Sequence, residues 1–267
     1  MLQLRNLSKT FNQGTINEKA IFNKLSLSIH EGDFVTIIGS NGAGKSTLLN
    51  IISGVILQDE GTIQLKNKDI SQLEEYKRSK YIGRVFQDPA LGTSPKMTLL
   101  ENLSMAYNKG KRFNLSPGIS KKNISFFKEI LSELSLGLED RLNSKVGLLS
   151  GGQRQALALL MATITSPGIL LLDEHTAALD PKTSENISLL TDKIIKEKGI
   201  TTLMVTHNLK QAIEMGNRIL MLHRGKVILD CKGKEKNDLT MKKLLGYFES
   251  AGGEDMMSDE MLFSNIG

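Results

Sequence analysis

No apolar run in this chain approaches the ~18 residues needed to cross a bilayer. The opening residues, Met1 to Arg5, lack the apolar core of a signal peptide. Those absences make a cytoplasmic protein the expectation, and any role at a membrane then requires docking on another chain. Cysteine is nearly missing as well. Cys231 stands alone, which excludes an intrachain disulfide and a cysteine-based zinc site; a small buried thiol is expected there. Sustained heptads, internal repeats and low-complexity tracts are also lacking. After Lys243 there is no Lys or Arg, while Glu249, Glu254, Asp255, Asp259 and Glu260 add five negative charges. With a net charge of +5 overall, residues 1–248 therefore carry +10. A basic body suits phosphate ligands or an anionic membrane surface, and equally an ordinary solvated surface.

What remains is 267 residues with 40% hydrophobic content, enough for one globular unit with a subdomain. Strand and helix signals alternate, which favours α/β with a largely parallel core sheet. Leu2–Leu7 and Leu25–Ile29 alternate apolar and polar residues as half-buried strands do. Asp33–Ile38 reads as a buried strand, followed by a Gly-rich turn and a helix from Lys45 to Ile52 that Ser53-Gly54 stops. Ile63–Lys66 and Ile82–Phe86 are further strands. From about Asp88 to Thr165 amphipathic helices dominate, such as Phe126–Leu136 with Ile130, Leu131 and Leu134 on one face; this segment reads as an inserted helical subdomain. Strands return at Ile169–Leu172, Thr202–Val205, Ile219–Leu222 and Val227–Asp230. The last two flank His223-Arg224-Gly225-Lys226, a hairpin turn. Beyond Phe248 a linker and an acidic tail, 249–267, are expected.

Three segments carry chemistry. Gly39-Ser40-Asn41-Gly42-Ala43-Gly44-Lys45-Ser46 fits the G-x-x-x-x-G-K-[ST] phosphate loop between a strand and a helix. Glycines let successive N–H groups turn inward, and the helix adds the positive end of its dipole. Lys45 supplies a point charge for the β- and γ-phosphates, Ser46 a hydroxyl for Mg²⁺, and Thr47 a further phosphate contact. The alternative, a loop that merely turns, leaves the strand–motif–helix context unexplained. The second segment, Ile169-Leu170-Leu171-Leu172-Asp173-Glu174, is a buried strand that ends in two carboxylates. In open α/β sheets, ligands bind at that end. Asp173 holds Mg²⁺ or its water, and Glu174 polarises an attacking water, because a carboxylate committed to metal is not free to act as base. Read alone, the pair is equally a surface feature. The third is Leu149-Ser150-Gly151-Gly152-Gln153. It opens an apolar helix with the spacing of a capping box, but two glycines in a first turn are poor helix formers and point to close approach of backbone. A helix start of this kind is a second anion site.

On these motifs and their order the chain closely resembles the nucleotide-binding subunits of ABC transporters over residues 1–235, with 149–153 as the family's signature run. The resemblance implies a P-loop NTPase (RecA-like) α/β core sheet with an antiparallel β subdomain and an inserted α-helical subdomain. It divides residues 1–248 into a core, 1–87 with 166–248, and a helical part, about 88–165. It implies ATP and Mg²⁺ as ligands and a head-to-tail homodimer, in which the phosphate loop of one copy and Ser150-Gly151-Gly152-Gln153 of the other sandwich each nucleotide. Gln87 matches the glutamine loop at Mg²⁺ or water, His207 the switch histidine at the γ-phosphate, and Phe11 the aromatic that stacks on adenine, with Phe22 or a core role for Phe11 as the alternative. Ala177-Ala178-Leu179-Asp180 matches the loop that crosses the dimer interface; Asp180 and Pro181 also read as an N-cap and first helical residue.

The family's usual proline after the catalytic glutamate is replaced by His175, read as a loop residue. Implied partners are transmembrane permease subunits, reached through Gln87 and a groove around Pro89–Leu103, and an external solute-binding protein; no nucleic acid is expected. The basic stretch Lys109, Lys111, Arg112, Lys121 and Lys122 reads as a solvated loop, with a face toward lipid head groups as the alternative. The implied location is the cytoplasmic face of a membrane, and the cargo an amino acid, an aromatic one. The alternatives are a soluble ABC-type ATPase of DNA repair or ribosomes, which the single cysteine and missing heptads disfavour, and a nucleotide-binding regulator, which Glu174 and His207 disfavour.

Overall fold

In the computed structural model, residues 1–111 and 118–252 are described. Arg112 and the acidic tail from residue 253 onward lie outside them. The chain divides into two compact units, Met1–Arg78 with Ile200–Gly267, and Ser79–Gly199.

The first unit opens with an antiparallel sheet of β1 (Leu2–Phe11) and β2 (Lys19–Ile29), joined later by β4 and β5. Both opening strands run further than their alternation predicts. Their register shifts between Leu4 and Leu7 and again beyond, and Asn6 and Lys24 take φ of 50° and 55°. Such bulges reset the period of two and so hide a strand's length from the sequence. Strand β3 (Phe34–Gly39) is buried along its whole length. It runs into the phosphate loop and helix α1 (Lys45–Ser53), which Gly54 ends at φ 87°. Strands β4 (Glu60–Leu65) and β5 (Lys68–Asp69) and the short helix α2 (Glu75–Arg78) follow. Arg78 is buried and donates to the carbonyls of Ile51 (2.7 Å), Ile52 (3.1 Å), Ser71 (2.9 Å) and Leu73 (2.7 Å). It thereby satisfies the last turn of α1, where carbonyls have no intrahelical partner.

The second unit pairs β6 (Ile82–Val85) in parallel with β7 (Ile169–Asp173). Between them lie α3 (Leu99–Asn108), α4 (Ile124–Ser132) and α5 (Gly151–Thr163). Thr98 caps α3 in a reciprocal box with Glu101. Phe127, Ile130, Leu131 and Leu134 are buried, although α4 stops at Ser132 because Ser135 adopts φ 54° and Gly137 φ 66°. Helix α6 (Pro181–Lys198) closes the unit, with Asp180 as its N-cap and Pro181 in its first turn. The Asp180 carboxylate lies below its usual pKa through its bonds from Thr183. The division of the chain assigns β6, β7 and α6 to the same unit as the helical segment.

The chain then returns to the first unit with β8 (Thr201–Val205), α7 (Leu209–Glu214), β9 (Arg218–His223), β10 (Lys226–Lys232), α8 (Lys234–Asn237) and α9 (Met241–Gly252). β3 is parallel to both β8 and β9, and β10 pairs antiparallel with β9. At the hairpin, Arg224 and Gly225 have φ 45° and 74°, the pattern of a type I′ turn. Cys231 is buried with Leu229, Leu244 and Phe248, and burial raises its thiol pKa. Helix α9 runs through Gly252, so it extends into the stretch expected to begin a linker.

Candidate functional site

In the phosphate loop, each glycine has its own reason. Gly39 (φ 149°) passes so close to β9 that a Cβ would stand 2.1 Å from the Leu222 carbonyl oxygen. Gly42 (φ 77°) and Gly44 (φ 103°) lie in the left-handed region that side chains avoid. A Cβ on Gly44 would also meet the Phe22 ring at 2.8 Å. Ala43 is buried, and its carbonyl accepts from Gly225 N–H at 3.2 Å, which pins the loop to the β9–β10 turn. Helix α1 has no side-chain cap. Lys45 is buried, and its ammonium donates to the carbonyls of Gly39 (2.7 Å) and Ser40 (3.0 Å). A full positive charge is therefore held inside the ring of backbone. Ser40 and Thr47 are half-buried; Asn41 and Ser46 are exposed.

The same unit carries His207 and Phe11. His207 is half-buried just beyond β8. Its loop is fixed by Thr206, whose hydroxyl donates to Gln211 Oε1 (2.6 Å) and accepts from Asn208 N–H (3.1 Å). Phe11 is half-buried at the end of β1, with the Lys9 ammonium 5.6 Å from its ring centre. Phe22, by contrast, is fully buried beneath Gly44, so of the two aromatics only Phe11 offers a face to a base.

The second unit carries the acidic strand end, Gln87 and the signature helix. Asp173 ends β7 half-buried, 3.4 Å from the Arg84 guanidinium, which stacks 4.6 Å from the Phe86 ring. Arg84 was not singled out from the sequence; an arginine in an otherwise apolar strand was the available signal. Glu174 has φ 47°, strained for a residue with a Cβ and characteristic of functional turns. Its carbonyl accepts from Ala177 N–H at 2.9 Å.

His175 is buried, and its Nε2 lies 3.0 Å from the Thr191 hydroxyl on α6. That hydroxyl already donates to the Ile187 carbonyl at 2.7 Å, so it accepts from His175, and the imidazole carries its proton on Nε2. Burial depresses the His175 pKa to about 4. His175 is thus a neutral tether between the Glu174 turn and α6. Its partner Thr191 gave no sequence signal.

Gln87 does not end a strand as expected: β6 stops at Val85, and Gln87 is exposed in the bend that follows. There the Phe86 carbonyl accepts from Gln155 Nε2 (3.3 Å) and the Asp88 carboxylate from Ala90 N–H (2.8 Å).

At α5, the Ser150 and Gln153 side chains bond each other's backbone N–H at 3.3 and 3.2 Å, the reciprocal box the spacing predicts. A Cβ on Gly152 would stand 2.4 Å from Thr183 Cγ2 of α6, whereas one on Gly151 would meet only Leu179 at an ordinary 3.5 Å. Internal packing therefore accounts for the second glycine and leaves the first without an internal reason.

The ABC transporter family model matches residues 22–177. A tyrosine transport ATP-binding protein of Clostridioides difficile is 55% identical over 94% of this chain and 100% of its own length. A spermidine/putrescine import ATP-binding protein of Haemophilus ducreyi is 35% identical over 88% of this chain and 59% of its own length. Among solved structures, a dimeric post-hydrolysis ATP-binding cassette bound to ADP and Pi aligns with TM-score 0.74 and 35% identity, covering 87% of this chain and 98% of the other. A nucleotide-free cassette from an ABC transporter aligns with TM-score 0.73 and 27% identity over 100% of this chain and 99% of the other.

Proposed function

Because the chain belongs to the ABC transporter family as an ATP-binding, ATP-hydrolysing subunit of import type, we propose that it powers uptake of an amino acid, tyrosine or a close aromatic relative, through separate membrane subunits. The observation that carries this reading is similarity along nearly the whole chain to a tyrosine transport ATP-binding protein. Among the described residues no helix is long and apolar enough to cross a membrane, which is in keeping with membrane subunits on other chains.

Phosphoryl transfer to water depends mainly on positioning and charge neutralisation. In this reading the loop N–H groups and Lys45 hold the β- and γ-phosphates, where preorganised donors act without reorganisation. The half-buried Phe11 face takes the adenine. Glu174 orients and deprotonates the attacking water, and its strained backbone sets the direction of the carboxylate. His207 aligns the γ-phosphate.

The oxygen donors Ser46, Gln87 and Asp173 have the hard-ligand chemistry that fits Mg²⁺, which takes few protein carboxylates beside substrate phosphates; when bound, the ion offsets triphosphate charge. Ser150, Gly151, Gly152 and Gln153 meet the nucleotide of a second copy, which makes closure of the homodimer a condition of turnover. Exposed Leu91, in the 3-10 turn Pro89–Gly92 that follows Gln87 in the chain, suits docking of a permease helix at the cytoplasmic face, and a solute-binding protein delivers cargo from the other side.

Affinity purification from detergent-solubilised membranes tests the assignment. A multi-span protein is expected to co-purify, and tyrosine uptake is expected to stop in cells carrying only Glu174→Gln. A soluble or nucleic-acid partner instead contradicts the assignment.

A further inference from the structure

We infer that Lys19 is a second phosphate-binding cation of this subunit, standing beside Gly42 of the phosphate loop. The inference rests on the ATP-binding reading above and goes beyond the residues assigned there.

Lys19 opens β2 directly across from Phe11, its Cα partner at the end of β1. Its ammonium lies 3.6 Å from the point a Cβ on Gly42 would occupy. The charge therefore sits beside Gly42, while the Lys45 charge is engaged with the Gly39 and Ser40 carbonyls. The hairpin fixes where Lys19 starts. Thr15 N–H donates to the Asn12 carbonyl (3.1 Å), Glu18 N–H to the Thr15 carbonyl (3.0 Å), and Gly14 N–H to the Glu18 carboxylate (2.7 Å). That last bond commits the neighbouring carboxylate. Lys9 on the same hairpin is committed to Asp59 at 2.7 Å; among the described residues, Lys19 has no such carboxylate.

An exposed ammonium placed beside Gly42 costs little desolvation and gains a charge-assisted contact when phosphate arrives. Phe11 and Lys19, opposite each other across the strand pair, then divide recognition. The aromatic takes the base, and the lysine takes the phosphate chain.

The division is testable by titrating nucleotide against wild type, Lys19→Ala, Lys19→Arg and Lys24→Ala, a control lysine on the same strand. Lys19→Ala is expected to weaken ATP about 10-fold, the range for one contact to a charged group. Competition by adenosine is expected to stay at the wild-type value, and the dependence of ATP affinity on salt to become shallower. Lys19→Arg is expected to stay within about threefold of wild type, as the charge is kept, and Lys24→Ala to match it. Wild-type ATP affinity in Lys19→Ala overturns the inference, as does an equal loss for ATP and adenosine, which makes Lys19 a support for the base platform. A wild-type protein that binds no ATP overturns the underlying reading as well.

Discussion

Two helix starts in this chain are proposed to face anions, and they are built differently. At α1 the glycines are fixed by conformation: Gly42 and Gly44 hold positive φ, no side chain caps the helix, and a buried lysine fills the loop. At α5 the glycines hold no positive φ, and Ser150 and Gln153 cap the first turn themselves. The first site is a finished cradle within one chain. The second is a stable helix end whose only unexplained feature is the bare backbone at Gly151. This difference is expected if one site holds the nucleotide and the other is pressed onto it by a second copy.

The comparison breaks or sharpens in order of expected effect. Glu174→Gln leaves both anion sites intact and removes the base, so steady-state ATPase is expected to fall by about 10²- to 10⁴-fold with ATP binding retained; turnover near wild type contradicts the assignment. Lys45→Ala empties the finished cradle of its charge and is expected to weaken ATP about 100-fold in equilibrium titration. An acid titration of stability reports on the tether beside Glu174. The folded His175 pKa, about 4, lies below the ordinary 6.5. The unfolded chain therefore takes up a proton first, and the stabilising effect is complete above pH 6.5 and lost as pH falls toward 4. Nucleotide- and metal-free protein is expected to lose about 3 kcal/mol over that window through this group, and His175→Gln is expected to flatten the dependence. Ser150→Ala is expected to cost about 1 kcal/mol in chemical denaturation. Gly151→Ala is the sharpest contrast, because alanine favours a helix and its Cβ meets only ordinary contact. Denaturation is expected to show unchanged or slightly raised stability, by up to about 1 kcal/mol, together with reduced ATPase. Full activity in Gly151→Ala removes the reason for treating α5 as an anion site.

Legibility in the sequence followed the same contrast. β3, the phosphate loop and α1 were readable to within a residue, because one continuous apolar strand, a spaced glycine motif and a capping Gly54 agree with one another. The Ser150 box was readable from its spacing alone. β1 and β2 were underestimated because bulges at Asn6 and Lys24 interrupt alternation. Helix α9 was not legible because the loss of basic residues after Lys243 reads as the approach to a tail, whereas its apolar side chains Leu244 and Phe248 are both buried. The strand before Gln87 was read as Ile82–Phe86 but stops at Val85, since Phe86 gives no stop signal. Contacts between distant positions, Arg84 with Asp173 and His175 with Thr191, have no local signature at all.

The account depends on two copies closing on shared nucleotide, and sedimentation of the Glu174→Gln protein tests this most directly. With ATP the predicted result is a shift from monomer to dimer that Gly151→Ala weakens in the same background. A monomer at saturating ATP contradicts it.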